Sequence, residues 1–152
     1  MLINIEGLDS VLIFQFRYII YPREVLIMSK KAFIPEGAVI VGPYSPAVEA
    51  GDLIFVSGQV PVDSQTGKIV EGDIQDQVRQ CFVNLKKVLD TAGVNFDNIV
   101  KSTVYLTDIA DFKSVNEVYA QYFSAPYPAR TAIAVAALPL GANVEIEVIV
   151  KK

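Results

Sequence analysis

The chain has 152 residues, 52% of them hydrophobic and 20% charged, which suits one packed domain and excludes a disordered or fibrous protein. Its formal net charge of -4 argues against nucleic acid as a partner, because phosphate backbones call for a basic patch. With no histidine and one cysteine, it cannot build a serine–histidine triad, a histidine-ligated zinc site or an intrachain disulfide.

Residues 1–27 read as an N-terminal extension. Their apolar runs are broken by Gln15, Arg17 and Arg23, too often to span a bilayer. Glu6 and Asp9 stand where a secretory signal would be basic, so a cytoplasmic location with no membrane partner is expected. The run Met28-Ser29-Lys30-Lys31 has the form of an alternative start, which leaves residues 28–152 as a single domain. The extension is then either the product of an upstream start codon or an extra strand covering a sheet edge.

Residues 38–41 (AVIV) and 53–57 (LIFVS) are short β-branched runs that read as strands, joined by the turn-rich GPYSPAVEAGD. Asp63, Ser64 and Gly67 supply turn chemistry before a short extended KIV. From Asp73 the period changes. Ile74, Val78, Cys81, Phe82, Leu85, Val88, Leu89 and Ala92 mark one face of a helix that Asp73 caps and Gly93 ends. Cys81 on that apolar stripe reads as a buried structural thiol. IVKSTVYLT alternates as a strand. A second helix is signalled by Asp111 as cap, with Phe112, Val115, Tyr119, Tyr122 and Phe123 at intervals of three and four, stopped by Pro126 and Pro128. Two strands, TAIAVAAL and VEIEVIV, follow, joined by PLGAN.

This order predicts an α+β fold, a sheet with both helices packed on one face. Two helices leave the other face open, while LIFVS and TAIAVAAL are apolar on both sides, so self-association through the helix-free face is expected.

Three charged residues stand in sequence that otherwise resembles buried strand. Arg130 follows Pro128-Ala129 at the entry to a strand, where a guanidinium at a subunit cleft can bind a carboxylate in a bidentate pair. The alternative is an ion pair to Glu145 or Glu147. Those two glutamates share one strand face, placed either to move protons at a bound substrate or simply to be solvated. Asn116 lies near Phe112 and Tyr119 on the inward side of the second helix and needs a hydrogen-bonding partner if buried. Tyr44, Ser57, Gly58 and Gln59 can line a site or serve as turn and core residues; glycine at 58 permits close backbone approach.

Taken together, GPYSPAV, LIFVSGQVPVD with TGK, KSTVYLTDIADFKSVNEVYAQYF and YPARTAIAVAALPLGANVEIEVIV resemble the Rid (YjgF) family, in particular its reactive-intermediate deaminase (RidA) branch. The resemblance covers residues 30–152 and leaves the extension outside. It implies a chorismate-mutase-like mixed sheet and a homotrimer with a central β-barrel and three active sites between subunits. It further implies hydrolysis of enamines and imines such as 2-aminoacrylate or 2-iminobutanoate, released by pyridoxal-phosphate enzymes, to 2-keto acids and ammonia, with no cofactor and no metal in the enzyme itself.

By position, the resemblance makes Arg130 the carboxylate-binding residue and Glu145, rather than Glu147, the residue that handles water. Tyr44, Ser57, Gly58 and Asn116 fall on its substrate-binding positions. Many members carry a cysteine two residues after the arginine; here it is Ala132, which leaves only its backbone N–H to hold the substrate carboxylate. Two other readings are a regulatory protein that binds small keto or amino acids without turnover, and an endoribonuclease or translation inhibitor, as attributed to some relatives. Acidic charge and the absence of histidine weigh against RNA cleavage.

Overall fold

A computed structural model of the chain describes residues 30–40 and 42–152. The extension expected at 1–27 lies outside the described residues. Six strands and two helices follow one another as β1 (Lys31–Phe33), β2 (Ala47–Ala50), β3 (Leu53–Gln59), α1 (Ile74–Ala92), β4 (Ile99–Leu106), α2 (Phe112–Tyr119), β5 (Ala129–Ala134) and β6 (Val144–Lys151). They form one sheet in the order β1-β2-β3-β6-β4-β5. All neighbours are antiparallel except β4 and β5, which run parallel because α2 carries the chain back across the sheet between them.

The sheet has a dry face and an open one, set by alternation along its strands. On β6, Val144, Ile146, Val148 and Val150 are buried beneath the helices, while Glu145, Glu147 and Ile149 are half-buried on the opposite side. Ser102, Val104 and Leu106 of β4 continue the dry face, and Lys101, Thr103 and Tyr105 the open one. Helix α1 seals the core with Val78, Cys81, Phe82, Leu85, Val88 and Leu89, the stripe expected from spacing. Asp73 accepts from the Gln75 and Asp76 N–H groups, Asp76 reaches back to the Asp73 N–H, and Gly93 closes the helix at φ 73°.

At the end of α1 nearest α2 the core becomes aromatic. Phe82 stacks on Tyr122 with centroids 4.0 Å apart and meets Tyr119, Phe96 and Phe123 edge-on. Tyr119 in turn stacks on Phe123 at 4.4 Å. This cluster joins α1 to α2 and fixes how α2 lies against β4.

Several expectations are corrected. Residues 38–40 form no strand; the strand pairing with β3 is Ala47–Ala50, inside the segment read as turn, and a further short strand, β1, precedes it. The KIV piece contributes only an isolated bridge between Val62 and Ile69. Asp111 makes no side-chain cap; Asp108 does this one turn earlier, accepting from the Ala110 N–H. Helix α2 ends at Tyr119, and Tyr122 belongs to a tighter turn whose N–H donates to the Tyr119 carbonyl. Strand β5 stops at Ala134, well short of Leu138.

Phe82 is fully buried at the centre of the aromatic cluster. Replacing it with alanine is expected to lower unfolding free energy by about 3–5 kcal/mol, with a smaller loss for leucine. Denaturant titration at matched protein concentration measures both.

Candidate active site

Arg130 is the second residue of β5, an edge strand, and it pairs in register with Ser102 on the helix-covered face. Its guanidinium lies 4.5 Å from the Tyr119 ring centroid and 5.5 Å from that of Phe112, and it forms no salt bridge among the described residues. The ion pair to Glu145 or Glu147 that the sequence left open is therefore not made. Asn116, half-buried, sits one helical turn after Phe112 and three residues before Tyr119, between the two rings.

The backbone of β5 adds a second donor. Val135 N–H donates to the Leu106 carbonyl on β4. Alternation along a parallel pair then directs the Thr131 and Ile133 N–H groups toward β4 and leaves those of Arg130 and Ala132 at the open sheet edge. The side chain of Arg130 and the N–H of Ala132 thus stand together at an unpaired rim.

Glu145 lies on the opposite face. It pairs in register with Tyr105 and lines a cleft of ≈ 340 Å³ with Tyr44, Ser57, Gly58, Val39 and Leu140. This cleft is built on a β-bulge: β3 slips in register against β6 between Val56 and Gln59, and Ser57 and Gly58 occupy the irregularity. Ser57 ties the bulge to the preceding loop, its N–H donating to the Pro46 carbonyl at 2.9 Å and its hydroxyl to the Ser45 carbonyl at 2.7 Å. That loop holds Tyr44 over the cleft. From α1, the Asn84 amide donates to the carbonyls of Val60 and Val62 at 3.1 and 2.8 Å, bracing the far wall.

Gly58 is required here for space. A Cβ at this position would overlap the Glu145 carboxylate, lying 2.6 Å from its carboxyl carbon and 2.9 Å from its Cγ. Desolvation in this pocket, and secondarily the charge of Glu147, raises the Glu145 carboxyl above the ordinary range. Glu147 is engaged differently: the Tyr105 hydroxyl donates to its Oε1 at 3.0 Å. Burial, followed by that carboxylate, pushes the Tyr105 phenol up. Of the two glutamates, Glu145 is the one that faces the cleft.

Cys81 is fully buried, and desolvation with the Glu145 charge pushes its thiol far above the ordinary range, as a structural residue requires. No group of three or more histidine, cysteine or acidic residues could hold a metal among the described residues.

The candidate residues therefore form two half-sites. Arg130, Ala132 and Asn116 share one, at the β5 edge on the helix side; Tyr44, Ser57, Gly58 and Glu145 share the other, on the open face. The bed beneath Arg130, formed by Phe112 and Tyr119, was read from sequence only as a helix face. The signal was nonetheless present in the spacing of Phe112, Asn116 and Tyr119 opposite a strand-borne arginine. The open face is also more mixed than expected: Phe55 and Ile133 are exposed, but Lys101, Thr103, Tyr105 and Glu147 share it. The small side chain of Ala132 packs partly against the helix-side core instead.

Comparison with known proteins places these features in a family. The family model described as endoribonuclease L-PSP matches residues 36–152. A RutC family protein of Pyrococcus horikoshii is 46% identical over 82% of this chain and 99% of its own length. The human 2-iminobutanoate/2-iminopropanoate deaminase is 46% identical over 72% of this chain and 80% of its own. The crystal structure of Escherichia coli TdcF with bound serine superposes with a TM-score of 0.76 at 42% identity, covering 81% of this chain and 99% of TdcF. The sheet order, the helices on one face and these matches over most of the chain agree: the chain belongs to the Rid family, in its RidA-type branch, whose family model bears the description endoribonuclease L-PSP.

Proposed function

We propose that the chain hydrolyses reactive 2-enamine and 2-imine acids, such as 2-aminoacrylate or 2-iminobutanoate, to 2-keto acids and ammonia. The observation that carries this reading is an arginine, unpaired with any carboxylate of its own chain among the described residues, at the edge of a sheet whose opposite face holds a carboxyl of raised pKa. The human deaminase supports the reaction class, and serine bound to TdcF supports a small amino or keto acid as the kind of molecule held.

Because the two half-sites lie on opposite faces of one sheet, the proposed sites form between subunits, in the homotrimer that the resemblance to the Rid family implies. The unpaired edge of β5, with Phe55 and Ile133 exposed on the open face, offers surface for that assembly. The substrate carboxylate docks on the Arg130 guanidinium and the Ala132 N–H of one copy, with Asn116 beside it. The amino-bearing carbon then faces Glu145 of a neighbouring copy, within walls supplied by Tyr44, Ser57 and Gly58.

An enamine first becomes the imine as a proton moves to its β-carbon. Glu145 next takes a proton from water as the water oxygen bonds to the C=N carbon; the π pair of the C=N bond moves to nitrogen, which receives that proton from the carboxyl. The carbinolamine collapses as its hydroxyl gives its proton back to Glu145, forming the C=O bond of the keto acid and breaking the C–N bond, and the same carboxyl delivers this second proton to the departing nitrogen, which leaves as ammonia. No step requires a metal, cofactor or strong nucleophile. No helix among the described residues is long and apolar enough to cross a membrane.

The endoribonuclease description of the family model supports the rival reading. Against it stand the -4 charge and the lack of histidine in the whole sequence, and a cleft sized for a small acid.

Arg130→Ala is expected to lower kcat/KM for imine hydrolysis by about tenfold to a hundredfold, the worth of hydrogen bonds to a charged group. Glu145→Gln should lower kcat by about 10²-fold or more while 2-ketobutyrate still binds. Co-assembling the two inactive variants should restore about a quarter of the sites, since each would draw its arginine and glutamate from different copies. Absence of any recovery in verified mixed assemblies would show that the two residues act within one chain. Purified wild type should show no RNase activity that Arg130→Ala removes.

Gly58→Ala should fold yet displace the Glu145 carboxylate, lowering kcat by about tenfold or more because the base is misplaced. A structure of the variant with Glu145 unmoved, or wild-type kcat, would contradict this. For pH, a base with a raised pKa is lost by protonation sooner as the medium acidifies. The acid limb of kcat/KM should therefore lie above the usual glutamate value of 4.5, and Glu147→Gln should shift it downward by removing a neighbouring negative charge. Loss of semicarbazide-trappable imine across a pH series reads out both.

A further inference from the structure

We propose that Phe112 and Tyr119 are positioning residues that hold the Arg130 guanidinium by its flat face and so leave its N–H edge free for a carboxylate. The inference rests on the reading of Arg130 as the substrate anchor and deepens it. The physical point is what each kind of restraint consumes. A carboxylate partner would fix the guanidinium by occupying the N–H fork that the substrate needs. Aromatic faces attract the same cation through the ring quadrupole and occupy none of its donors.

The geometry meets that requirement with two rings, their centroids 4.5 Å (Tyr119) and 5.5 Å (Phe112) from the guanidinium carbon. The bed itself is rigid where it matters. Tyr119 is only 5% exposed, stacks on Phe123 at 4.4 Å with 27° between planes, and meets Phe82 edge-on at 5.8 Å. Phe82 is in turn stacked on Tyr122. The position of the arginine is thus passed down to the aromatic core between α1 and α2. Phe112 is 39% exposed and borders the open rim of β5, where a ligand or neighbouring subunit would arrive.

The Tyr119 hydroxyl points to the ring as the working part of the residue. It is buried beside Ser102 Oγ, and neither oxygen reaches good hydrogen-bond geometry with a partner. A buried hydroxyl left in that condition costs stability and offers the arginine no hydrogen bond. The ring alone makes the contact to Arg130.

Binding of 2-ketobutyrate to the full-length assembled protein tests the proposal, read by calorimetry beside KM and kcat for imine hydrolysis. Phe112→Leu is expected to weaken binding about threefold and Tyr119→Leu about tenfold or more, with KM rising by more than kcat falls. Tyr119→Phe should recover the affinity that Tyr119→Leu loses, and Phe112→Trp should bind at least as tightly as wild type. Should Tyr119→Leu fail to fold, Phe112→Leu, at a partly exposed position, still decides. Wild-type affinity in both leucine variants, with binding lost in Arg130→Ala, would overturn the aromatic bed and leave the anchor role intact. Unchanged binding in Arg130→Ala would overturn both. A Tyr119→Phe as weak as Tyr119→Leu would transfer the role to the hydroxyl and end the proposal.

Discussion

Side chains on a β-strand alternate between the two faces of the sheet, and in this chain that alternation separates the groups the chemistry needs. Arg130, in register with Ser102, is committed to the helix-covered face; Glu145, in register with Tyr105, is committed to the other. No rotamer of either residue reverses a strand's parity, and a one-residue slip would expose Val144, Ile146, Val148 and Val150 in place of the glutamates. The hydrophobic core therefore enforces the separation. What looks like an incomplete site in one copy becomes two complementary halves when the edge of one sheet meets the open face of another, and the proposed assembly follows from this parity more than from any patch of exposed apolar surface.

Each half is then prepared by its own local device. On the open face, a bulge and a glycine let the Glu145 carboxylate settle against the β3 backbone, where desolvation raises its pKa above the ordinary carboxylate range, the direction the proposed proton transfer calls for. Its neighbour Glu147 contributes charge but is occupied by Tyr105, so two carboxylates one turn of the pleat apart take different parts. On the helix side, aromatic rings steady the arginine without using its donors, and the open edge of β5 supplies the Ala132 N–H beside it. Both devices use groups that would otherwise be liabilities: an irregular strand and an unpaired sheet edge.

Much of this was legible in the residues. The period-3.6 stripe from Ile74 to Ala92, its Asp73 and Gly93 ends, and the alternation of VEIEVIV each depend on local patterning, and each appears in the structure as expected. The misreadings have two causes. Ala47–Ala50 is too short and too polar to announce itself, and it is a strand because β3 and β1 flank it with matching register. AVIV has the composition of a strand but, at residues 38–40, no neighbour to pair with; Pro35, Ala38, Val39, Tyr44 and Pro46 line the Glu145 cleft instead. Asp111 is a good cap by type, yet Asp108 precedes it and takes the first turn. Non-local pairing, which no short window encodes, decided the first two, and competition between two nearby carboxylates the third. Among the site residues, identity came from motif and resemblance, while the division into halves required the sheet order, because Arg130 and Glu145 belong to strands that β4 keeps apart.

The same separation bears on why so bare an inventory is adequate for the proposed reaction. A 2-imino acid already carries an electrophilic carbon, and water attacks it without a metal or a covalent intermediate, so the site needs only to fix the acid and manage protons. In the proposed assembly, an anchor on one chain and a base on the next would do this with the reacting carbon between them. RNA cleavage makes the opposite demand: it requires contacts along an extended polyanion and an acid–base pair of matched strength on either side of one phosphate. Here, among the described residues, one arginine without a carboxylate partner and one carboxyl of raised pKa stand on opposite faces of the sheet, in a chain that is acidic overall. That ratio of one cationic donor fork to one proton-transfer group corresponds to a substrate with one carboxylate and one reacting carbon.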